Sequence, residues 1–212
     1  MPRGCNPWAW KKQCCDVLRS FFGRGFALLS HPSLRYSDWT ARQWRHCVLS
    51  TYGAWLHGDP RGFRTRHHRE HVEGDYRNPP PAGKYADKLN RSRKALKQSP
   101  IVLAPRWRKL VSASLVQRLS KLDAYVACAA VGGQHIHLLL KIPKGSSQVL
   151  LGKAKRHAWF VAREAGWTGR LWAKRGSAKP VRDRRHQARV YQYILGHAKQ
   201  GAWIWVSPEI RR

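Results

Sequence analysis

Carboxylates are what this chain has least of: 11 Asp and Glu stand against 41 Lys and Arg, a formal net charge of +30 over 212 residues. A polycation that repels itself so strongly calls for a polyanionic partner, and nucleic acid is the commonest one. Long apolar runs are also missing. No stretch approaches the length of a membrane-spanning helix, and no basic amphipathic helix stands apart from the rest, so a membrane partner is not expected. The five cysteines, at 5, 14, 15, 47 and 128, contain no Cys-x-x-Cys pair. That pattern excludes a zinc ribbon or a disulfide scaffold and suits free thiols in a reducing cytoplasm. A secretory leader is not expected, because Arg24 breaks the apolar stretch near the start and no cleavage pattern follows.

What is present is aromatic and basic. Eleven Trp and seven Tyr lie among the cations. Most belong in a core, and the remainder offer flat faces on which unpaired bases stack. A chain of this length buries a good core, and one domain with appendages is the expectation. Residues 1–44 form a basic and aromatic extension, with a short amphipathic helix expected near 13–22. A single domain follows over 45–206, carrying a long basic insertion at about 57–104, and 207–212 is a tail.

The stretch from Gly132 to Leu140 reads as a two-glycine turn feeding a strand. Side chains alternate along a strand, so His135 and His137 share one face while Ile136, Leu138 and Leu140 share the other. Two imidazoles side by side suit one divalent cation, or else a half-buried pair satisfied by water or backbone. Further on, Val181 to Arg189 lacks Gly and Pro and predicts a helix over about 183–198. Tyr193 and His197 then stand one turn apart on one face, a phenol beside a third imidazole. Tyr191 competes with Tyr193, but its neighbour one turn on is Leu195, a core residue.

The remaining elements follow in order. A first strand is expected from His46 to Tyr52, ended by Gly58-Asp59-Pro60-Arg61-Gly62. The insertion carries Pro79-Pro80-Pro81 and one short helix near 85–97. Pro105 opens an amphipathic helix to Ser120, with Trp107, Leu110, Val111, Leu115 and Leu119 at three- and four-residue spacing. Asp123 to Val131 pairs with the histidine strand as a hairpin. Ser146 and Ser147 cap a helix reaching Gly166, Leu171 to Lys174 forms a short strand, and Ala202 to Val206 an edge strand. The order strand-helix-strand-strand-helix-strand predicts an α+β fold of ferredoxin-like plan, an antiparallel sheet with helices on one face.

The insertion also holds His67-His68-Arg69-Glu70-His71, which fits an inverted zinc-peptidase pattern. Its context argues against that chemistry. Gly62, Gly74 and the proline run flank it, where such a site needs a stable helix and a distant carboxylate ligand. A basic loop contacting phosphates or solvent is the better reading.

A His-hydrophobe-His strand followed some fifty residues later by a helical Tyr-x-x-x-His resembles the single-tyrosine HUH transposases of insertion sequences, including the REP-associated tyrosine transposases. The segment Thr51-Tyr52-Gly53-Ala54-Trp55-Leu56-His57-Gly58-Asp59-Pro60-Arg61-Gly62-Phe63 resembles the end of the first strand in one bacterial branch of that family. The likeness spans roughly Arg45 to Val206. It implies a bacterial, nucleoid-associated cytoplasmic protein that cuts and rejoins single-stranded hairpin DNA. On the matching positions, Tyr193 is the nucleophile, and His135, His137 and His197 hold Mg²⁺ or Mn²⁺. His197 departs from the amide side chain often found there in the family and favours Mn²⁺ or a softer metal. Arg61, Arg64 and Arg66 in the insertion, Lys153, Lys155 and Arg156, and Arg182, Arg184, Arg185 and Arg189 are the candidate phosphate contacts. A homodimer that exchanges the tyrosine helix is one expected state, a monomer the other. A relative that binds structured single strands without cutting them is the alternative activity.

Overall fold

The computed structural model describes residues 42–61, 63 and 80–210. The helix expected near 13–22, the His67–His71 cluster, Arg64 and Arg66 lie outside the described residues. In chain order the elements are β1 (Arg42–Ser50), α1 (Ala86–Lys94), α2 (Pro105–Ser120), β2 (Tyr125–Val131), β3 (His135–Pro143), α3 (Ser147–Glu164), β4 (Ser177–Pro180), α4 (Arg184–Gly196), a 3₁₀ turn (His197–Gln200) and β5 (Trp203–Val206). The five strands form one sheet in the order β4-β1-β3-β2-β5, and every neighbouring pair is antiparallel. This is the α+β, ferredoxin-like arrangement, with β5 added beside β2.

Alternation decides which side of the sheet each residue faces. Cys47 and Leu49 of β1, with Ile136, Leu138, Leu140 and Ile142 of β3, form the larger core with Val111, Leu115 and Leu119 of α2 and Leu151, Ala154 and Ala158 of α3. All are essentially inaccessible to solvent. The opposite face carries a smaller cluster in which Leu139 of β3 meets Val190 and Ile194 of α4. Helices α2 and α3 thus cover one face, as the ferredoxin-like plan requires, and α4 is laid across the other. A bulge between Val126 and Cys128 adjusts β2 to both layers. It turns Val126 and Ala129 toward the larger core while Ala127 and Cys128 both meet the α4 side.

Three local readings are corrected. The fourth strand is Ser177–Pro180 rather than Leu171–Lys174. Leu171 is buried because it fills the larger core, and Trp172 makes only a single bridge to Thr51. Ser146 does not cap α3 through its side chain; its hydroxyl instead donates to the Pro143 carbonyl at 2.7 Å. The first strand starts earlier and ends earlier than expected, because residues past Ser50 turn away to meet the segment returning from the insertion. There Thr51 N–H donates to the Gln134 carbonyl, and its hydroxyl donates to the Ile101 carbonyl.

The Gly58 backbone is where the stretch after β1 meets α1. Its φ is +90°, and a Cβ there would stand 2.4 Å from the Leu89 nitrogen and 2.8 Å from the Tyr85 carbonyl oxygen. Both neighbours are backbone and neither can swing aside. Gly58→Ala is therefore expected to cost about 2–4 kcal/mol, combining the left-handed conformation with overpacking. Urea unfolding of the variant against the parent measures it, and a loss under about 0.5 kcal/mol would contradict this packing.

Candidate functional site

The face of the sheet opposite α2 and α3 carries polar rings. On β3, His135 and His137 project toward this side, and on β1 so do His46 and Ser50, which lie across from Leu139 and His135. Lys179 of β4 is the partner of His46 on the other edge. Helix α4 crosses this surface. Asp183 starts it by accepting from the His186 N–H at 2.7 Å, and Val190 and Ile194 anchor it on Leu139 and the β2 alanines. Tyr193, the residue before Ile194, is thereby set at the edge of the buried seam.

Four rings meet at that edge. His137 and His197 stack with centroids 4.4 Å apart and planes 14° apart. The Tyr193 ring stands edge-on to His197 at 4.9 Å, to His137 at 5.5 Å and to His46 at 5.8 Å. His46 Nε2 lies 3.2 Å from His137 Nδ1, so one ring donates and the other accepts. Tyr193 remains 53% exposed, which leaves its hydroxyl within reach of a polymeric substrate. His135 is on the same face but in different company. Its Nδ1 lies 3.4 Å from the Ser50 hydroxyl, and its ring tilts against the exposed Trp55 at 5.4 Å.

Burial and neighbouring positive charge disfavour the protonated forms of His137, His46 and His135. Burial pushes His137 down to about 3, helped by the charges that His197, His46 and His135 would carry. His46 is lowered by burial and by Lys179, His186 and His197, and His135 by burial, Arg61 and His197, against a small opposing effect of Asp59. Neutral imidazole is the form that binds metal or accepts a proton. At His197 the protonated nitrogen is fixed: Nδ1 lies 3.1 Å from Gln200 Oε1, which can only accept. Its Nε2 is buried and without a hydrogen-bond partner. Donor chemistry therefore fits a divalent metal. Donor position is a separate matter: among the described residues, no group of three or more His, Cys, Asp or Glu side chains has the geometry to hold an ion. Stacked rings point their in-plane lone pairs alongside one another, and His137 and His197 would have to turn to share a ligand.

Sequence reading missed His46 and Gln200. His46 was legible in principle, since Cys47 and Leu49 facing the core force His46 onto the histidine side. Gln200 was not, because the 3₁₀ turn after Gly196 brings it back on His197.

The candidate phosphate contacts separate. Arg61 donates to both Asp59 oxygens, at 2.9 and 2.6 Å, and to the Ala54 carbonyl, and its guanidinium lies 4.6 Å over the Trp55 ring. Burial pushes the Asp59 carboxyl up, but the hydrogen bonds from Arg61 outweigh it and hold it below the usual range. Lys155 is buried, and its ammonium straps the Ala173 carbonyl at 2.6 Å, away from any surface DNA could reach. Lys153 and Arg156 are exposed on α3, whereas Arg182, Arg184, Arg185 and Arg189 are exposed on or beside α4. These two groups belong to opposite faces of the sheet and do not form one track. Those along α4 share a face with Tyr193.

Comparison of the chain with protein-family models, with curated proteins and with solved structures found no match. The resemblance to HUH transposases stands on the residues quoted for it alone. No described helix is long and apolar enough to cross a membrane.

Proposed function

We propose that this protein is a single-strand DNA endonuclease and strand transferase of the HUH type, working by transesterification through Tyr193. The observation that carries the proposal is the gathering of a half-exposed phenol on α4 against His46, His137 and His197, contributed by β1, β3 and the 3₁₀ turn that follows α4. The Tyr193 oxygen attacks phosphorus, the bond to the 3′ oxygen breaks, and a 5′-phosphotyrosine and a 3′-hydroxyl result. The phenol's proton passes to a neutral imidazole, and the departing 3′ oxygen takes one up. With the stacked rings of His137 and His197 turned, those two and His135 are the residues that would hold Mg²⁺ or Mn²⁺, which when bound would withdraw charge from a phosphate oxygen. Lys179 beside His46 and the basic residues of α4 favour an anionic strand on this face.

A second reading is binding without cleavage, favoured by the lack of three converging metal donors among the described residues. Incubating the protein with labelled single-stranded hairpin DNA and Mn²⁺ separates the two. A protein-DNA adduct stable to denaturant and absent in EDTA supports the transferase. Salt-sensitive binding with no adduct under any divalent metal favours the binding-only protein.

A further inference from the structure

The loop that follows α3 builds a second concave feature, away from the four rings. An open cleft of about 600 Å³ is lined by Gln98, Trp159, Arg163, Trp167, Thr168 and Arg170. Its frame is fixed by hydrogen bonds. Trp159 donates its indole N–H to the Gly169 carbonyl at 3.0 Å. The Gln98 amide grips the Arg170 backbone from both sides, donating to its carbonyl at 2.9 Å and accepting from its N–H at 2.8 Å. A glycine is needed at 169, where φ is +77° and a Cβ would stand 2.8 Å from Gln98 Oε1.

Two features of this frame point to a ligand. Trp159 and Trp167 line it with indole surface. The Arg163 guanidinium lies 4.9 Å over the Trp159 ring and that of Arg170 lies 5.5 Å over Tyr52, and neither pairs with a carboxylate among the described residues. Flat apolar surface and guanidinium groups without a carboxylate partner together suit a planar ring that carries a phosphate. Cavities of roughly 300–1,000 Å³ are the usual size for such a ligand.

The cleft is also tied to the strand end that carries His135. Tyr52 N–H donates to the Leu171 carbonyl at 3.0 Å, and Trp172 bridges Thr51. Thr51 adjoins Ser50, whose hydroxyl reaches His135. We infer that this cleft seats one unpaired nucleotide of a single-stranded DNA, its base against the tryptophans and its phosphate on Arg163 and Arg170. The inference rests on DNA being the partner in the proposed function, but not on the cutting chemistry.

The test uses the full chain and a single-stranded oligonucleotide substituted with 5-iodo-deoxyuridine, irradiated and mapped by peptide mass spectrometry. Crosslinks are expected at Trp159 or Trp167. In parallel, the double variant Arg163→Ala, Arg170→Ala, altered only at exposed side chains, is expected to lose on the order of fivefold or more in affinity for the single strand. Affinity for a duplex of equal length should change less than about twofold. Crosslinks confined to other regions, or equal losses on single strand and duplex, overturn the inference. The Tyr193 adduct is read in the same samples. An adduct without the tryptophan crosslinks sinks the cleft and spares the transferase, and crosslinks without an adduct do the reverse.

Discussion

Tyr193→Phe is expected to reduce covalent adduct formation by roughly 10³-fold or more, because it deletes the attacking oxygen while leaving the ring in place. The packing reasons for expecting a folded variant are direct. Tyr193 is half-exposed and its ring, not its hydroxyl, makes the contacts to His46, His137 and His197. Loss of such a hydroxyl costs about 1 kcal/mol or less. Tyr191→Phe is the control. Tyr191 packs beside the smaller apolar cluster on a different side of α4, so its variant should retain adduct formation within a few-fold. Denaturing gels with 5′- and 3′-labelled hairpins give both numbers. An adduct that survives in Tyr193→Phe would remove Tyr193 from the chemistry, whatever else the protein does.

The second large effect concerns acid. In EDTA, stability is expected to rise with pH between about 3 and 6.5, since His137 is held down to about 3 in the fold and returns to its ordinary 6.5 when unfolded. Between those values the unfolded chain takes up a proton that the native chain refuses, so lowering the pH favours unfolding. His46 and His135, both lowered, act with the same sign, and Asp59, also lowered, extends the loss below its ordinary range near 3.8. Each fully shifted imidazole contributes at most about 1.4 kcal/mol per pH unit, and solvent screening of these partly exposed rings brings the slope below that ceiling. Urea midpoints at pH 4, 5.5 and 7 measure the slope, which should flatten above neutrality and shrink in His137→Asn. A flat profile from pH 4 to 7 would mean that the imidazoles are not desolvated as described.

Much of the fold was legible in the sequence where a pattern had a single physical reading. Pro105 at the first turn with apolar residues at helical spacing defines α2 to the residue, and alternation around His135 and His137 separates the core face from the imidazole face. Legibility failed where tertiary packing outweighed local pattern. Ser177–Pro180 has no apolar alternation, because an edge strand of four residues with three exposed side chains needs none. Leu171 and Trp172 look like a strand because they are buried, yet they serve the core and one bridge. Of the site, the phenol and three imidazoles could be nominated from spacing, and alternation along β1 puts His46 on a polar face, whereas its meeting with His137 required knowing that β1 lies beside β3. That α4 lies opposite α3, which divides the basic residues between two surfaces, is a property of layers that one-dimensional spacing does not carry.

The outermost strands have a bearing on how copies of this chain meet. Both β4 and β5 are only four residues long, and β4 places Lys179 and Pro180 at its end. A neighbour trying to continue the ladder would find few open backbone groups, a missing amide and a charge. Sheet-to-sheet pairing through the described strands is thereby discouraged, even at high local concentration. Among the described residues, the surfaces left for a second copy are those of helices and loops.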